Sequence, residues 1–181
     1  MKIAAVQINT IIGDFSGNRE KILKYIKTAL AEGADLVIFP ELAMCGYPPL
    51  DLLDQDIFYE KNEESLRRLQ KDIPDGIAAA VGHVSLNLNS KGKSYCNNVS
   101  VIKNGEIIFS QAKTLLPSYD VFDESRYFES ASSRKTFDIC GIKTGIAICE
   151  DLWRHSPDGF RQGYENDPVK ELLDKGAQLI I

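Results

Sequence analysis

The sequence predicts an α/β layered fold, because amphipathic helical segments alternate with continuous apolar runs. Residues 35–39 are apolar without alternation after the first position, which is typical of a strand buried on both faces. Residues 18–32 carry apolar side chains at the spacing of one helix face, and Gly33 provides a stop between the two elements. Buried strands that alternate with helices indicate layers of sheet and helix around a common core.

The first half of the chain is predicted to hold two helices and three strands. Strands are expected at residues 3–8, 35–39 and 77–84, and helices at residues 18–32 and 56–71. Asn18 has a side chain suited to cap the first helix. Pro40 ends the second strand, because proline cannot continue the pairing, and it leaves Glu41 at the carboxyl end of that strand.

The second half is predicted to contain two strand pairs and a short helix. Strands are expected at residues 95–102, 106–111, 136–140 and 142–148, and a helix at residues 167–175. Asn104-Gly105 suits a tight turn between antiparallel strands. Residues 33–38 and 176–181 resemble each other, each a glycine stop followed by an apolar run, which predicts a repeated helix-to-strand step. The sequence would then end inside a strand, and we expect a truncated domain.

Charge and composition narrow the function classes. The net charge is −5 and no like charges cluster, which argues against a nucleic-acid face or a basic membrane-binding surface. The amino terminus turns polar after four consecutive apolar residues, too few for a signal peptide or a membrane span. These observations favour a cytoplasmic protein that acts on a small neutral or zwitterionic molecule.

The sequence contains no metal-binding pattern. Its cysteines lack a Cys-x-x-Cys pair, and they are Cys45, Cys96, Cys140 and Cys149. His83 and His155 lack the spacing of a zinc site. We therefore predict no metal site and free thiols in a reducing compartment.

Polar side chains lie at the ends of three predicted strands: Glu41, Lys113 and Cys149. A thiol needs a base to take its proton, or a cation to lower its pKa, before it becomes a good nucleophile. Glu41 could act as the base and Lys113 as the cation. Their spacing in the sequence does not exclude simpler interpretations. Glu41 could be a turn carboxylate, Lys113 a surface lysine and Cys149 a small buried side chain.

The segments around these residues resemble a known family. Phe39-Pro40-Glu41-Leu42, Lys113 with Leu116-Pro117, and Ile148-Cys149-Glu150-Asp151 are similar to the three signature segments of the nitrilase, or carbon-nitrogen hydrolase, superfamily. Residues 46–53 and 116–128, together with Cys149-Glu150-Asp151-Leu152-Trp153, resemble the amino-terminal glutaminase domain of glutamine-dependent NAD synthetases. The three signature segments occur in the family's order.

The resemblance implies a nitrilase-like α-β-β-α sandwich in which residues 1–181 are an incomplete glutaminase domain. It also implies hydrolysis of L-glutamine through a cysteine thioester, with ammonia passed to a synthetase domain that this chain lacks. That domain would use ATP and Mg²⁺, whereas the glutaminase domain needs no cofactor. The family resemblance further implies a homo-oligomer. A stand-alone amidase or carbamoylase, or an inactive truncated scaffold, remains an alternative.

The resemblance also assigns roles to residues. Cys149 would be the nucleophile, Glu41 the proton shuttle, and Lys113 a cation expected between them that favours the thiolate. Tyr119 resembles a tyrosine that holds glutamine, or is a half-buried aromatic side chain. Glu124 resembles an additional glutamate of the family, or is an ion-pair partner of Arg126 or Lys113, and Glu150 is a possible supporting residue.

Overall fold

The computed structural model describes residues 1–89, 91–154 and 164–181. The helices are α1 (Phe15–Ala31), α2 (Asp56–Asp72), α3 (Glu124–Tyr127) and α4 (Pro168–Asp174). The strands are β1 (Ile3–Ala5), β2 (Leu36–Ile38), β3 (Ala78–Leu86), β4 (Tyr95–Lys103), β5 (Glu106–Ala112), β6 (Thr136–Ile139), β7 (Ile142–Gly145) and β8 (Leu179–Ile180). Short 3₁₀ helices span Leu50–Asp54 and Cys149–Leu152.

The strands form two sheets. The first sheet has the order β1-β2-β3-β4-β5, in which β1, β2 and β3 are parallel and the later neighbours are antiparallel. The second sheet has the order β6-β7-β8, with β6 antiparallel and β8 parallel to β7. The candidate residues Glu41, Lys113 and Cys149 all follow strands of these sheets, beyond their carboxyl ends.

The layers are stacked in the predicted α-β-β-α order. Helices α1 and α2 cover one face of the first sheet, where Ile22, Ile26, Leu66 and Leu69 pack against strand residues. The opposite face packs against the second sheet through Leu36, Ala78, Ala80, Val101, Phe137, Ile139, Ile146 and Ile148. Helix α4 lies against the second sheet at Gly145, where an added Cβ would come within 2.8 Å of the Leu172 side chain. The expected layered α/β fold is confirmed.

The repeated helix-to-strand step is also confirmed. Gly33 follows α1 with φ +76° and Gly176 follows α4 with φ +81°, a backbone region that suits glycine. Each glycine leads into a strand next to a parallel neighbour, β2 in the first sheet and β8 in the second. The predicted tight turn between β4 and β5 is present as well, with positive φ at Asn104 and Gly105.

The first helix begins earlier than predicted. Its N-cap is Asp14, whose carboxylate accepts a hydrogen bond of 3.0 Å from the backbone N–H of Gly17. Asn18 lies inside the helix and is fully buried. Its side chain accepts from the N–H of Ile11 over 2.9 Å and donates to the carbonyl of Ile11 over 2.8 Å. The prediction of Asn18 as the cap was wrong, because its amide stabilises the preceding loop.

Two strands are shorter than predicted. Strand β1 stops at residue 5 instead of 8, and β7 stops at residue 145 instead of 148. The chain continues beside its neighbour in both places, since Val6 donates to the carbonyl of Ile38 over 3.0 Å and Ala147 to that of Ile181 over 2.9 Å. Residues 146–148 therefore connect β7 to Cys149 as extended chain. No helix in the described part of the sequence is long and apolar enough to cross a bilayer.

Candidate active site

Glu41 lies in a turn that packs closely on β3. An added Cβ at Gly82 would lie 2.4 Å from the backbone nitrogen of Leu42 and 2.8 Å from the carbonyl oxygen of Pro40. The backbone N–H of Met44 donates to the carbonyl of Gly82 over 3.0 Å. Glycine at position 82 therefore allows the turn to approach the strand, and this contact positions the Glu41 side chain.

Lys113 directly follows β5, and its side chain is fully buried. Its backbone N–H donates to the carbonyl of Asn97 in β4 over 2.8 Å. Its carbonyl accepts from the N–H of Ala131 over 2.9 Å. These contacts hold the main chain on both sides, so the long side chain extends into the protein interior and not into solvent.

Cys149 begins a 3₁₀ helix with φ +45°. This left-handed conformation is uncommon for a residue with a side chain, and such backbone strain clusters at functional sites. Cys149 is exposed although Ile148 and Glu150 on either side of it are buried. The turn thus places the thiol at a cavity of about 230 Å³ between the sheets. Glu41 lines the same cavity.

Lys113 lies between two carboxylates. Its Nζ is 2.7 Å from Oε1 of Glu41 and 2.8 Å from Oε1 of Glu124. Tyr47 donates its hydroxyl proton to the same Glu124 oxygen over 2.8 Å. We call Glu41, Lys113 and Glu124 the Lys113 cluster, in which one ammonium faces two carboxylates. Of the readings left open for Glu124, the ion pair with Lys113 is present, whereas Arg126 lies near Asp123.

Burial and charge act in opposite directions within the Lys113 cluster. Burial alone lowers the pKa of Lys113, but Glu41 and Glu124 more than offset this, and the resulting pKa is raised. Burial raises the pKa of the Glu124 carboxyl, and Lys113 offsets only part of that increase. Lys113 is therefore a stable cation, and Glu124 binds a proton more readily than an ordinary glutamate does.

The Cys149 thiol lies beside the Glu41 side chain, at the same cavity. The pKa of this thiol is raised to about 11, first by burial and then by Glu41, while Lys113 lowers it by less than Glu41 raises it. Lys113 lowers the pKa of the thiol, in the expected direction, but burial and Glu41 outweigh that effect. The expected position of Lys113 between the other two is not seen in its hydrogen bonds, which run to Glu41 and Glu124. Cys149 is a thiol at neutral pH, and it needs Glu41 to accept its proton as it attacks.

Asp151 connects the Cys149 turn to the segment that follows Lys113. Its Oδ2 accepts from the backbone N–H of Ile148 over 3.1 Å. Its Oδ1 accepts from the N–H groups of Thr114 and Leu115 over 3.1 and 2.8 Å. Burial raises the pKa of Asp151, and these backbone bonds counteract that effect. The carboxylate thereby sets the position of the nucleophile relative to the cation.

Tyr119 contacts Glu150. Its hydroxyl donates to Oε2 of Glu150 over 2.8 Å, and the hydroxyl of Tyr164 donates to Oε1 over 3.2 Å. Glu150 is nearly fully buried, whereas Tyr119 is half-buried. Two tyrosine hydroxyls therefore hold the carboxylate that directly follows Cys149. The predicted contact of Tyr119 with glutamine stays a prediction.

Two histidines, His83 and His155, were considered as metal ligands, and the structure describes the first of them. His83 is buried in β3, and its ring nitrogens lie 2.9 Å from the carbonyl oxygen of Val84 and 2.8 Å from Oγ of Ser100. Burial lowers its pKa, so the ring is neutral and part of a polar network in the sheet. His155 lies outside the described residues.

A family comparison agrees with this geometry. The model of the carbon-nitrogen hydrolase family matches residues 2–156, which include Glu41, Lys113 and Cys149. The chain belongs to the carbon-nitrogen hydrolase family. The resemblance that the three signature segments predicted is thereby confirmed.

Curated relatives of this carbon-nitrogen hydrolase chain are glutamine-dependent NAD(+) synthetases. The protein from Synechocystis sp. is 41% identical over 182 residues, which cover 99% of this chain and 33% of the relative. The protein from Thermotoga maritima is 36% identical over 154 residues, which cover 84% of this chain and 26% of the relative. The chain thus spans about a quarter to a third of the length of these relatives.

Solved structures show the same fold. Glutamine-dependent NAD+ synthetase from Acinetobacter baumannii superimposes with a TM-score of 0.80 at 29% identity, covering 98% of this chain and 31% of that protein. An amidase from Nesterenkonia sp. superimposes with a TM-score of 0.79 at 22% identity, covering 99% of this chain and 63% of that protein. The nitrilase-superfamily fold is therefore shared with both.

Sequence reasoning missed several residues of the site, and two of them, Gly82 and Asn97, left a signal. Gly82 interrupts an apolar strand, which is a mark of close backbone approach. Asn97 is one of two adjacent amides, with Asn98, in a strand whose other residues are mostly apolar. Tyr47 lies in the segment 46–53 that carries the family resemblance, but nothing local predicted its contact with Glu124, which joins residues 77 positions apart.

Proposed function

We propose that the chain hydrolyses the side-chain amide of glutamine and supplies ammonia to a synthetase domain of a longer protein. The contact of the Cys149 thiol with Glu41, whose carboxylate also binds Lys113, carries this proposal. The relatives are glutamine-dependent NAD(+) synthetases, and the chain matches the Synechocystis protein over 99% of its own length. This match supports glutamine as the substrate and NAD synthesis as the use of the ammonia.

The first half of the proposed reaction forms a thioester. Sγ of Cys149 attacks the amide carbon while Glu41 accepts the thiol proton. Lys113 has three N–H donors, two of which bind Glu41 and Glu124, and the third stabilises the oxyanion. Glu41 then passes its proton to the amide nitrogen, the C–N bond breaks, and ammonia leaves. A glutamyl thioester remains on Cys149.

The second half releases glutamate. Glu41 takes a proton from a water molecule, whose oxygen attacks the thioester carbon. The C–S bond breaks as the tetrahedral intermediate collapses, and Glu41 returns the proton to the sulfur. The sum of both halves is glutamine plus water giving glutamate plus ammonia, with the thiol and the carboxylate restored.

Other parts of the proposal come from the resemblance. Tyr119 is proposed to bind glutamine and Glu124 to support the triad. ATP and Mg²⁺ are assigned to the separate synthetase domain, and the glutaminase chain is proposed to act without a cofactor. A cytoplasmic location and a homo-oligomer belong to the same proposal.

The nucleophile is tested with an electrophilic glutamine analogue, followed by peptide mass spectrometry. Cys140 is a matched control, because it is exposed and has a positive φ of 51°, as Cys149 does with 45°. Only Cys149 of these two contacts Glu41. We expect an adduct on Cys149 and little on Cys140. Equal labelling of both in folded protein would contradict the assignment.

The reaction is tested in the full-length protein that carries this chain. Cys149→Ala and Glu41→Gln should abolish NAD synthesis with glutamine and leave synthesis with free ammonia, because only the first requires amide hydrolysis. Loss of a positioned base costs about 10²-fold to 10⁴-fold in rate. Equal loss of both activities would show a structural role for these residues. Rapid hydrolysis of other small amides would instead favour a stand-alone amidase.

A further inference from the structure

Asn97 in β4 contacts both Glu41 and Lys113. Its side-chain Nδ2 donates to Oε1 of Glu41, the same oxygen that accepts from Nζ of Lys113. Its backbone carbonyl accepts from the N–H of Lys113 over 2.8 Å. Asn97 is 1% exposed. One buried residue thus binds the cation through its main chain and the carboxylate through its side chain.

The orientation of the Asn97 amide follows from its partner. An ionised carboxylate only accepts, so the amide atom that faces Glu41 must be the nitrogen. The other amide atom, Oδ1, is buried and has no hydrogen-bond donor among the described protein atoms. A buried carbonyl without a donor costs about 1–3 kcal/mol. An apolar side chain would avoid that cost, so the contribution that the amide makes here is its bond to Glu41.

The side chains of Asn97 and Lys113 both donate to the same oxygen of Glu41. The oxygen Oε1 has two lone pairs, and Asn97 and Lys113 occupy them. The other oxygen, Oε2, remains for the thiol of Cys149. We propose that Asn97 is a positioning residue that fixes the rotation of the Glu41 carboxylate so that Oε2 faces Cys149. This inference rests on the proposed function in one respect, that Glu41 is the base for Cys149.

The experiment measures alkylation of Cys149 by iodoacetamide as a function of pH, with mass spectrometry to locate the adduct. In Asn97→Ala the carboxylate loses one charged hydrogen bond, and the rate constant at pH 7 should fall about 10-fold to 100-fold. Asn97→Asp has nearly the same shape but places a second carboxylate beside Glu41. At pH 7 we expect the alkylation rate of Asn97→Asp to fall at least as far as that of Asn97→Ala. Its alkylation rate should begin to rise only at a higher pH than in the wild type.

Asn98→Ala is the matched control. Asn98 is the next residue of β4 and is 4% exposed, but its amide donates to Oγ of Ser110 over 2.8 Å. Successive side chains of a strand point to opposite faces, so Asn98 is on the other face from Asn97. Its rate should match the wild type in protein shown to be folded by circular dichroism. A wild-type profile in both Asn97 variants would overturn the proposal. An equal fall in Asn98→Ala would also overturn it, since the effect would then be general damage to β4.

The outcomes separate this inference from the proposed function. Iodoacetamide does not require glutamine recognition, so dependence on Asn97 without labelling by the glutamine analogue would retain the positioning role and reject glutamine. If the analogue labels Cys149 but alkylation does not depend on Asn97, glutamine is retained as the substrate and the positioning role is rejected. If Asn97→Ala does not fold, the isosteric Asn97→Asp decides the question through its pH profile.

Discussion

Two ion clusters among the described residues have opposite compositions. In the Lys113 cluster one ammonium lies between two carboxylates. In the second, which we call the Arg134 cluster, the single carboxylate of Glu171 lies between Arg134 and Lys175. The two clusters are neighbours in the fold, because Nη1 of Arg134 donates to Oγ1 of Thr114 over 3.0 Å.

The difference in composition appears in the pKa values. Burial raises the pKa of Glu171, but hydrogen bonds from Lys175 and Arg134 outweigh it and lower the pKa to about 2. The pKa of Glu124 is raised, and so is that of the Cys149 thiol. Where carboxylates outnumber cations, a carboxyl group can bind and release a proton more easily. Where cations outnumber carboxylates, the carboxylate stays ionised. The first composition suits catalysis and the second suits structural support.

The largest effect on stability is expected from Lys113→Met, which removes the cation and keeps a long side chain. Two buried carboxylates would then lack their partner, and breaking a buried ion pair in this way costs about 3–5 kcal/mol. Urea unfolding at pH 7 measures the free energy of unfolding. The loss should be smaller at pH 5, because protonation relieves the repulsion. Lys135→Met, at an exposed lysine, is the control, and equal stability of the two variants would contradict the prediction.

A smaller effect is expected at Asp151, which lies between the two clusters. Asp151→Ala leaves three backbone N–H groups without their acceptor, whereas Asp151→Asn keeps an oxygen for the two that share Oδ1. The alanine variant should be the less stable by about 1–3 kcal/mol. Thermal and urea unfolding of the pair measure this difference. Equal stabilities would show that these bonds contribute little.

The smallest loss of stability is expected from Glu171→Gln, which should lower the free energy of unfolding by about 1–2 kcal/mol at pH 7. The ion pair between Glu171 and Arg134 is partly exposed, so solvent screens it. The folded pKa of Glu171 is about 2, below the reference value of 4.5. The stability it contributes is therefore present above pH 4.5 and is lost as the pH falls toward 2. Urea unfolding between pH 3 and 7 should show the wild type and the variant converging at low pH. Glu20→Gln, at an exposed position of α1, is the control. A constant difference across this range would contradict the assignment.

Much of the fold was predictable because local patterns specify it. A helix stop at glycine followed by an apolar strand depends only on residues that are neighbours in sequence. Both such steps, after Gly33 and after Gly176, are present. Asn18 shows the limit of such patterns. A capping side chain and a loop-stabilising side chain look the same in sequence, and its contacts with Ile11 arise only when the chain folds back.

The sequence by itself determined which reactive groups this protein carries and that Glu41, Lys113 and Cys149 follow strands. Only the tertiary structure decided how they act on one another. Lys113 contacts Glu41 and Glu124, whereas the thiol is partly buried and lies next to Glu41, so the pKa of Cys149 is raised instead of lowered. The reason is physical: burial and the distances between charges set the sign of a pKa shift. Both depend on contacts such as the one between Asn97 and Glu41, which joins residues 56 positions apart.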